Sequence, residues 1–349
     1  MTRIAFAMEQ SLGNVTHYLN LRAAQDAAPW LDAAWLPIQY RSGRLPWAVS
    51  GSIATARTCR PALEDVSALF VHTTTLALLT PAMRPKRPLV LSTDGPPDKT
   101  GMRGWYNLGP EGRFAGPLKR KVYSAIIKRA EGVVAWCEWT KTALVDGYGV
   151  DPDRIAVIPP GVDVEQFAPG DRVDELPQIL FVGGDFARKG GDLLLDVFRR
   201  RLAGRAELVL VTGAKLPEEP GIRVFNGLGA NSAVLRQLYA GSDLLALPTR
   251  ADMLPLVAME ALASGLPIVT TRIGGLPDLV RDGSTGRLID VDDADRLGDA
   301  LEELVSDTTL RHRMSRDARQ DALERFDART NALRLFDFVR TFAEDLRGS

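Results

Sequence analysis

The chain has 349 residues, which at about 150 residues per domain is enough for two domains. Hydrophobic residues make up 45% of it and charged residues 25%, values that fit a folded globular protein and exclude a disordered or collagen-like chain. Two cysteines, Cys59 and Cys137, exclude a disulfide framework and fit a reducing compartment. The formal net charge of −1 gives no general argument for nucleic-acid binding, so no nucleic-acid partner is expected.

The first apolar run, Ile4–Met8, lies between charged residues and is too short for a signal peptide, so it predicts a first strand. The longest uncharged stretch, 66–83, contains His72, Pro81 and four threonines, which argues against a membrane-spanning helix. We therefore expect a cytoplasmic protein.

Short apolar strands alternate with helix-length segments along the chain, which predicts an α/β fold with doubly wound parallel sheets. The predicted strands are Ile4–Met8, Leu69–His72, Leu89–Ser92, Gly132–Ala135, Ile155–Ile158, Ile179–Val182, Glu207–Val211, Leu244–Leu247 and Pro267–Thr270. The predicted helices of the second half are Gly191–Arg200, Ala233–Ala240, Val257–Ser264 and Ala294–Ser306, with a further helical stretch from about Asp317 to Leu346.

The joint between the domains is expected where Pro159-Pro160-Gly161 bars helix continuation, in a connection that runs on to Pro169-Gly170. The sequence thus predicts a first domain over 1–168 and a second over 169–330. The remaining residues, 331–349, are expected to form a helix that crosses back to the first domain.

The segment from Thr249 to Val269 is the most informative one for function. Asp252 lies in a loop after a predicted strand, and Glu260 lies early in the helix that begins near Pro255. Both acids can then face the carboxyl end of the strand, where ligands bind in such folds, and the free amides around Leu256 and Val257 can receive phosphate oxygens. A capping Asp and a solvated helical Glu would explain the same spacing equally well.

This segment resembles the acidic-x7-acidic motif of the retaining glycosyltransferases of the family 4 type, which have the GT-B fold. Further matches follow in the family's order: Val133–Glu138, Ile155–Asp163 with Phe167, the basic loop Ile179–Gly191, Ile273–Asp278 and Gly283–Gly286. The resemblance is good over about 133–290 and holds only in outline before that. It implies two Rossmann-like domains that face an interdomain cleft, the first binding the acceptor and the second the nucleotide sugar.

The resemblance also implies a role for each matching residue. Glu260 would hold the ribose hydroxyls of the nucleotide sugar, and Asp252, with catalytic importance, would contact the transferred sugar. Lys189, a second catalytic candidate, and Arg188 would neutralise the diphosphate, whose departure requires its developing charge to be stabilised. Donor contacts are further expected from Gly184, Met253, Leu254, Leu256 and Val257, and no metal or other cofactor is expected. For the basic loop, an exposed helix-start loop is the competing interpretation.

Three positions depart from the family's pattern. Asp252 replaces a Glu and is one methylene shorter, so its sugar contacts differ. Gly184 replaces an Arg and removes one phosphate cation, for which Arg188 is the candidate substitute. Pro255 stands where a Gly is frequent and removes one amide donor.

In the first half, Gly13 and Asn14 follow the first strand where the family has a Gly-rich turn near the donor phosphates, and Gly13 would allow close backbone approach. Asp94 follows another strand where many relatives have a His-Asp pair. It is a catalytic candidate that would orient the acceptor hydroxyl or take its proton. An ordinary strand–helix turn at Gly13 and a turn Asp capping Gly95 are the alternatives.

Basic residues are concentrated between Arg84 and Arg129, where the sequence has 11 basic residues and three acidic ones. Apolar residues at 118, 122, 125 and 126 would form one face of a helix and cations the other. This stretch, 84–129, would give weak contact with an anionic membrane surface or attract a phosphorylated acceptor, and packing on its own domain is the alternative. Peripheral attachment to the inner face of the membrane would follow from the first interpretation.

The sequence therefore predicts a retaining hexosyltransferase-type glycosyltransferase of bacterial glycan biosynthesis. Its acceptor would be a glycan, a lipid-linked or a small-molecule hydroxyl compound. A non-catalytic nucleotide-sugar-binding protein, suggested by Gly184 and Asp252, and a nucleotide-sugar epimerase of the same fold are the alternatives. The acidic run Asp290–Asp293 precedes a helix and predicts an N-cap at Asp292 or Asp293 rather than a metal site.

Overall fold

The structure of the protein is a computed structural model, and it describes residues 1–11, 13–40, 47–80, 87–98, 102–106, 115–170 and 176–345. The chain divides into two compact units. The first holds the described residues up to Pro160, apart from Trp105 and Tyr106, together with the chain from Ala328 onward. The second holds Gly161–Asp327 with Trp105 and Tyr106. The parts of the predicted basic stretch at 84–86, 99–101 and 107–114, and the end of the predicted C-terminal helix at 346–349, lie outside the described residues.

Within the described residues, the first unit has a parallel sheet of six strands in the order β2-β1-β3-β4-β5-β6. The strands are β1 (Thr2–Glu9), β2 (Leu31–Ile38), β3 (Ala68–His72), β4 (Leu89–Thr93), β5 (Gly132–Ala135) and β6 (Ile155–Val157). Helices of this unit are α1 (Gly13–Ala24), α2 (Trp47–Cys59), α3 (Ala115–Arg129) and α4 (Glu138–Tyr148). Short 3₁₀ turns cover Gln25–Ala27, Arg60–Ala62, Thr74–Ala77, Arg103–Tyr106 and Pro152–Arg154.

The second unit repeats this plan with the strand order β12-β11-β10-β7-β8-β9, again all parallel. Its described strands are β7 (Gln178–Gly183), β8 (Glu207–Thr212), β9 (Ile222–Phe225), β10 (Leu244–Leu247), β11 (Ile268–Thr271) and β12 (Gly286–Ile289). Its described helices are α5 (Gly191–Val197, followed by a π-helical turn over Phe198–Leu202), α6 (Ala233–Ala240), α7 (Leu256–Ala263), α8 (Leu276–Leu279), α9 (Ala294–Ser306) and α10 (Thr308–Arg325).

Three strands that the sequence did not predict, β2, β9 and β12, lie at sheet edges. An edge strand is covered on one side only, so its sequence mixes polar and apolar residues, as β2 does with Asp32 and Pro37. The continuous apolar runs that mark a buried parallel strand are therefore weaker there.

The helical stretch predicted from about Asp317 to Leu346 is confirmed over the described residues, but it is divided at Phe326 and Asp327 between α10 and a last helix, α11 (Ala328–Asp345). At this break Phe326 is buried and its carbonyl accepts a hydrogen bond from the amide of Val162. Helix α11 returns to the first unit, where Phe336 packs edge-on against Phe6 with ring centroids 5.6 Å apart.

The unit boundaries fall at Pro160 and Asp327, somewhat before the predicted 168 and 330. The connection after Pro160 belongs to the second unit because Val162 pairs with Asp327 and Phe167 packs against Tyr239.

Three of the four residues predicted to form the apolar face of α3 are exposed: Leu118 (64%), Val122 (39%) and Ala125. The fourth, Ile126, is buried in the core with Tyr123 and Ile127. A helix buries one stripe of residues three and four apart, and in α3 this stripe runs through Tyr123, Ile126 and Ile127. The structure describes no helix that is long and apolar enough to span a membrane.

Candidate functional site

The candidate site lies at the carboxyl ends of β7 and β10, the central neighbours of the second sheet. The strand order reverses direction between these two strands, and ligands of open α/β sheets bind at such a switch point. The loop after β7 holds Arg188 and Lys189, and the loop after β10 holds Asp252. The fold therefore brings together three of the predicted site residues.

Main-chain contacts fasten the two loops to each other. The amide of Arg250 donates to the carbonyl of Arg188 at 2.9 Å, and the Arg188 guanidinium donates to the carbonyl of Ala251 at 2.6 Å. Gly190 has φ +75°, and a Cβ there would lie 2.0 Å from the carbonyl oxygen of Pro248. Only glycine fits this approach, so the basic loop is held against the end of β10.

The loop after β11 supports the loop after β10, which holds Asp252. The amide of Gly275 donates to the carbonyl of Met253 at 2.7 Å. Gly274 has φ +57°, and a Cβ there would lie 2.1 Å from the carbonyl oxygen of Asp252. The glycines after β11 thus fix the main chain at Asp252. This contact explains why the Ile273–Asp278 motif needs glycine at position 274.

Lys189 and Asp252 form an ion pair through Nζ and Oδ2, and the side chain of each is nearly buried. The Arg188 guanidinium is 3.3 Å from Asp185 and 4.0 Å from the other carboxylate oxygen of Asp252. A buried ammonium without a counter-charge would be costly, so each side chain of the pair stabilises the charge of the other. The arrangement shows that the basic loop is more than an exposed, solvated turn.

Glu260 lies on the second turn of α7 and is only 5% exposed. Its Oε2 accepts a hydrogen bond of 2.8 Å from the hydroxyl of Tyr239 on α6. Burial raises the pKa of Glu260 to about 7, and the Tyr239 hydroxyl opposes that rise by stabilising the carboxylate. A solvated helical Glu, the alternative interpretation of the sequence, is therefore excluded.

The other predicted donor-binding residues of the second unit differ in which of their atoms a ligand could contact. Met253 and Leu254 have buried side chains, so a ligand would meet their main chain. Leu256 and Val257 are half-buried in the first turn of α7, where helical amides have no partner within the helix. A Cβ at Gly184 would meet no atom within 4 Å, so space is available where the family has its Arg.

Gly13, Asn14 and Asp94 belong to the first unit, at the carboxyl ends of β1 and β4. Gly13 is the first residue of α1, and Asn14 Oδ1 is 3.0 Å from Nε2 of His72. Beside Asp94, the Gly95 amide donates a hydrogen bond of 3.4 Å to the Thr93 hydroxyl.

Tyr239, which holds Glu260, was missed by sequence reasoning. It has no sequence signal of its own, since it acts through a neighbour far away in the chain. In the first unit, His72 is fully buried between Asn14 and Ser92 and fixes the Asn14 side chain.

The acidic run before α9 has the predicted capping role. The side chain of Asp293 accepts a hydrogen bond of 2.9 Å from the amide of Arg296, and Asp292 pairs with Arg250. The N-cap prediction is thus confirmed for Asp293.

The fold identifies the class of protein. A sucrose-phosphate synthase from Thermosynechococcus elongatus matches 98% of this chain and 99% of its own with a TM-score of 0.78 at 16% identity. Alr3699/HepE from Anabaena, in complex with UDP, matches 98% of this chain and all of its own with a TM-score of 0.72 at 16% identity. With its two six-stranded parallel sheets and flanking helices, the described chain has the GT-B fold.

Sequence comparison identifies the family. The family model described as Glycosyltransferase Family 4 matches residues 16–166, and that described as Glycosyl transferases group 1 matches residues 176–307. The chain therefore belongs to the family 4 glycosyltransferases, as the motifs predicted.

Curated relatives include a D-inositol 3-phosphate glycosyltransferase from Nocardia farcinica, 35% identical over 58% of this chain and 51% of that protein. Another of the same name, from Geodermatophilus obscurus, is 34% identical over 54% of this chain and 49% of its own. The chain spans about half the length of these curated relatives.

Proposed function

We propose that the protein transfers a sugar from a nucleoside-diphosphate sugar to an acceptor hydroxyl with retention of anomeric configuration. The observation that carries the proposal is the nearly buried pair of Lys189 and Asp252 at the switch point of the second sheet, with Glu260 buried on the helix that follows the Asp252 loop. The Lys189 ammonium suits a diphosphate, and the short Asp252 side chain suits a sugar. The buried Glu260 carboxylate suits the hydroxyls of a ribose.

The proposed chemistry is a substitution at the anomeric carbon. Its bond to the diphosphate oxygen breaks while a bond to the acceptor oxygen forms on the same face, and the acceptor proton leaves with the departing phosphate or passes to Asp94. Lys189, Arg188 and the first amides of α7 would stabilise the charge that develops on the diphosphate. Fixed cations supply this stabilisation without a metal, so we expect activity to survive treatment with EDTA.

The relatives suggest which compounds to test first. Alr3699/HepE has been solved with UDP and with UDP-glucose, and the curated relatives are named for D-inositol 3-phosphate. We propose a UDP-sugar as the first donor candidate and a phosphorylated polyol as the first acceptor candidate, beside glycan and lipid-linked acceptors of bacterial glycan biosynthesis. An excess of basic residues in the first half fits an anionic acceptor.

A thermal-shift screen tests the donor site. Nucleoside diphosphates of uridine, guanosine and adenosine and their sugars are added in turn, and the true donor raises the melting temperature because it binds only the folded protein. We expect Glu260→Ala to weaken donor binding and Lys189→Ala to slow transfer. The exposed residues Glu165 and Lys215 provide matched controls, and their alanine variants should behave as the parent protein does.

The competing functions give different products. A non-catalytic binding protein would bind the donor without releasing nucleotide even when acceptors are present. An epimerase would return a changed nucleotide sugar. Retention would be read from the anomeric configuration of the product, and an inverted product would refute that part of the proposal.

We also propose that α3 gives weak contact with anionic lipid at the inner face of the cytoplasmic membrane. Leu118 and Val122 are exposed beside Lys121 on a helix with further basic residues, and this combination suits a lipid surface. Vesicles rich in phosphatidylglycerol should co-sediment the protein at low salt, and L118S/V122S should abolish this. Leu323→Ser on α10, also at an exposed leucine, is the control.

A further inference from the structure

The two oxygens of Glu260 have different surroundings. Oε2 accepts the hydrogen bond from Tyr239, whereas no described residue donates to Oε1. The small part of Glu260 that stays exposed leaves this second oxygen available to a ligand. One oxygen is thus fixed by the protein, and the other can bind a hydroxyl group.

Tyr239 is itself held rigidly. It is fully buried, its ring packs edge-on against Phe167 at 5.5 Å, and its hydroxyl is also 3.3 Å from the carbonyl of Val257. Burial and the nearby Glu260 carboxylate raise the pKa of Tyr239 well above its ordinary value, so the phenol stays a hydrogen-bond donor at every pH used below.

We propose that Tyr239 is the positioning residue of the donor site: its hydroxyl holds Glu260 as a carboxylate aimed at the ribose and so sets the pH below which donor affinity falls. The inference rests on the proposed function, because it assumes that a ribose hydroxyl donates to Glu260. Tyr239 touches no substrate and acts only through Glu260.

The other elements packed around α7 bring no charge to the Glu260 carboxylate in the part of the chain that the structure describes. Strands β10 and β11 contribute apolar residues and threonines. From α10, Arg319 donates to the carbonyl of Ala263 at the far end of the helix. The cations Arg188 and Lys189 are engaged with Asp185 and Asp252. Burial and Tyr239 therefore set the protonation of Glu260 between them.

The sign of the pH effect follows from the direction of the shift. Burial raises the pKa of Glu260 to about 7, so about half of the free protein carries the carboxylate at neutral pH. Ribose hydroxyls donate to the carboxylate, so binding favours deprotonation, and affinity falls as the pH falls below the pKa of the free protein. From pH 8.5 to pH 5.5 we expect donor affinity to fall about 30-fold.

The probe is the nucleotide sugar identified by the screen, with UDP-glucose first, titrated by calorimetry across this pH range. A nucleotide sugar is preferred to a free diphosphate because a terminal phosphate itself titrates near pH 6 and would mask the effect. Glu260→Gln, which cannot ionise, should bind weakly and with little dependence on pH.

Tyr239→Phe keeps the packing against Phe167 and removes only the hydroxyl. Losing this hydrogen bond raises the pKa of Glu260 further, so we expect donor affinity to fall about fivefold at pH 7 and to recover to within about twofold of the parent at pH 8.5. The KM for donor should change in the same way, with kcat at saturating donor nearly unchanged. In the Glu260→Gln background the substitution should have no further effect on affinity.

Tyr148→Phe is the matched control, since Tyr148 is a buried tyrosine of the first unit whose hydroxyl oxygen accepts from the amide of Asp98. It should leave the midpoint of the pH profile in place. A pH-independent donor affinity in the parent, or a Tyr239→Phe profile with an unmoved midpoint, would overturn the inference while leaving the transferase proposal intact. No binding of any nucleotide sugar would instead refute the proposed function.

Discussion

At the residue scale, the site is defined by the pairing of Lys189 with Asp252. Both side chains are nearly buried, so each neutralises a charge that would otherwise be costly in the folded protein. In our proposal the donor diphosphate replaces Asp252 as the partner of Lys189, which releases Asp252 to contact the sugar. The ion pair between Lys189 and Asp252 would then break when the donor binds, and each residue would contact a different part of the donor.

Asp252→Asn separates these two effects. With the negative charge removed, Lys189 is free to bind phosphate, so we expect affinity for the nucleoside diphosphate to rise about threefold to tenfold. Transfer should nevertheless slow by about tenfold or more, because the carboxylate that contacts the sugar is gone. Calorimetry and steady-state kinetics measure the two, with Asp196→Asn in an exposed ion pair as control. A parallel fall in diphosphate affinity and turnover would contradict the exchange of partners.

Gly184→Arg tests the missing cation. A Cβ at this position meets open space, so the longer side chain fits without displacing its neighbours. A second cation near the diphosphate should tighten donor binding about threefold to tenfold, and more at low salt than at high salt. Gly229→Arg, at another open glycine of the same unit, adds the same charge elsewhere. Equal gains in both variants would show a general charge effect instead of a restored contact.

At the scale of elements, loops after neighbouring strands carry the site, and glycines set their spacing. The loops after β7, β10 and β11 approach one another so closely that a side chain at Gly190 or Gly274 would overlap a carbonyl group. Strand order places these loops side by side, and the glycines allow the final approach. This is why the Ile273–Asp278 motif matters although its side chains need not touch a ligand.

Gly274→Ala should therefore displace the main chain at Asp252. We expect a lower melting temperature and donor affinity weakened by about tenfold or more, because the added Cβ and the carbonyl of Asp252 cannot both keep their places. Gly227→Ala is the control, since Gly227 also has a positive φ but open space around it. It carries the same left-handed strain of about 1–2 kcal/mol, without the overlap. Similar donor affinity in both variants would refute the role of Gly274 in holding the main chain at Asp252.

At the scale of the whole molecule, the two units depend on chain segments that are distant in sequence. Helix α11 lies at the end of the chain, yet it completes the core of the first unit, where Phe336 is fully buried with Phe6 and Phe70. Lys189, Asp252 and Glu260, which we propose to hold the donor, belong to the second unit. The two units can therefore differ in their sensitivity to a substitution.

Phe336→Ala tests this separation. Loss of a fully buried phenylalanine should cost the first unit about 3–5 kcal/mol, seen as an earlier transition in thermal unfolding. The donor should still raise the melting temperature of the second unit. The exposed Leu323 gives the control, as Leu323→Ala should change stability by only about 0.5 kcal/mol. A single lowered transition in Phe336→Ala, which the donor raises as a whole, would show instead that the units unfold together.

The alternation of strands and helices, and the family, could be predicted from the amino-acid sequence. Gly132–Ala135, Leu244–Leu247, Ala233–Ala240 and Ala294–Ser306 were predicted with the bounds that the structure has. Such elements are buried on both faces of a sheet or along one helical stripe, so their local pattern is sufficient to identify them. Edge strands and the break at Phe326 lack such a pattern.

The interactions among the site residues could not be predicted from the sequence and became visible in the folded chain. Lys189 pairs with Asp252, and Tyr239 with Glu260, across segments that no local pattern connects. The raised pKa of Glu260 likewise depends on the atoms that surround it in the fold. Spacing along the chain predicts which residues share an edge of a sheet, whereas charge pairing and burial depend on distances that packing alone sets.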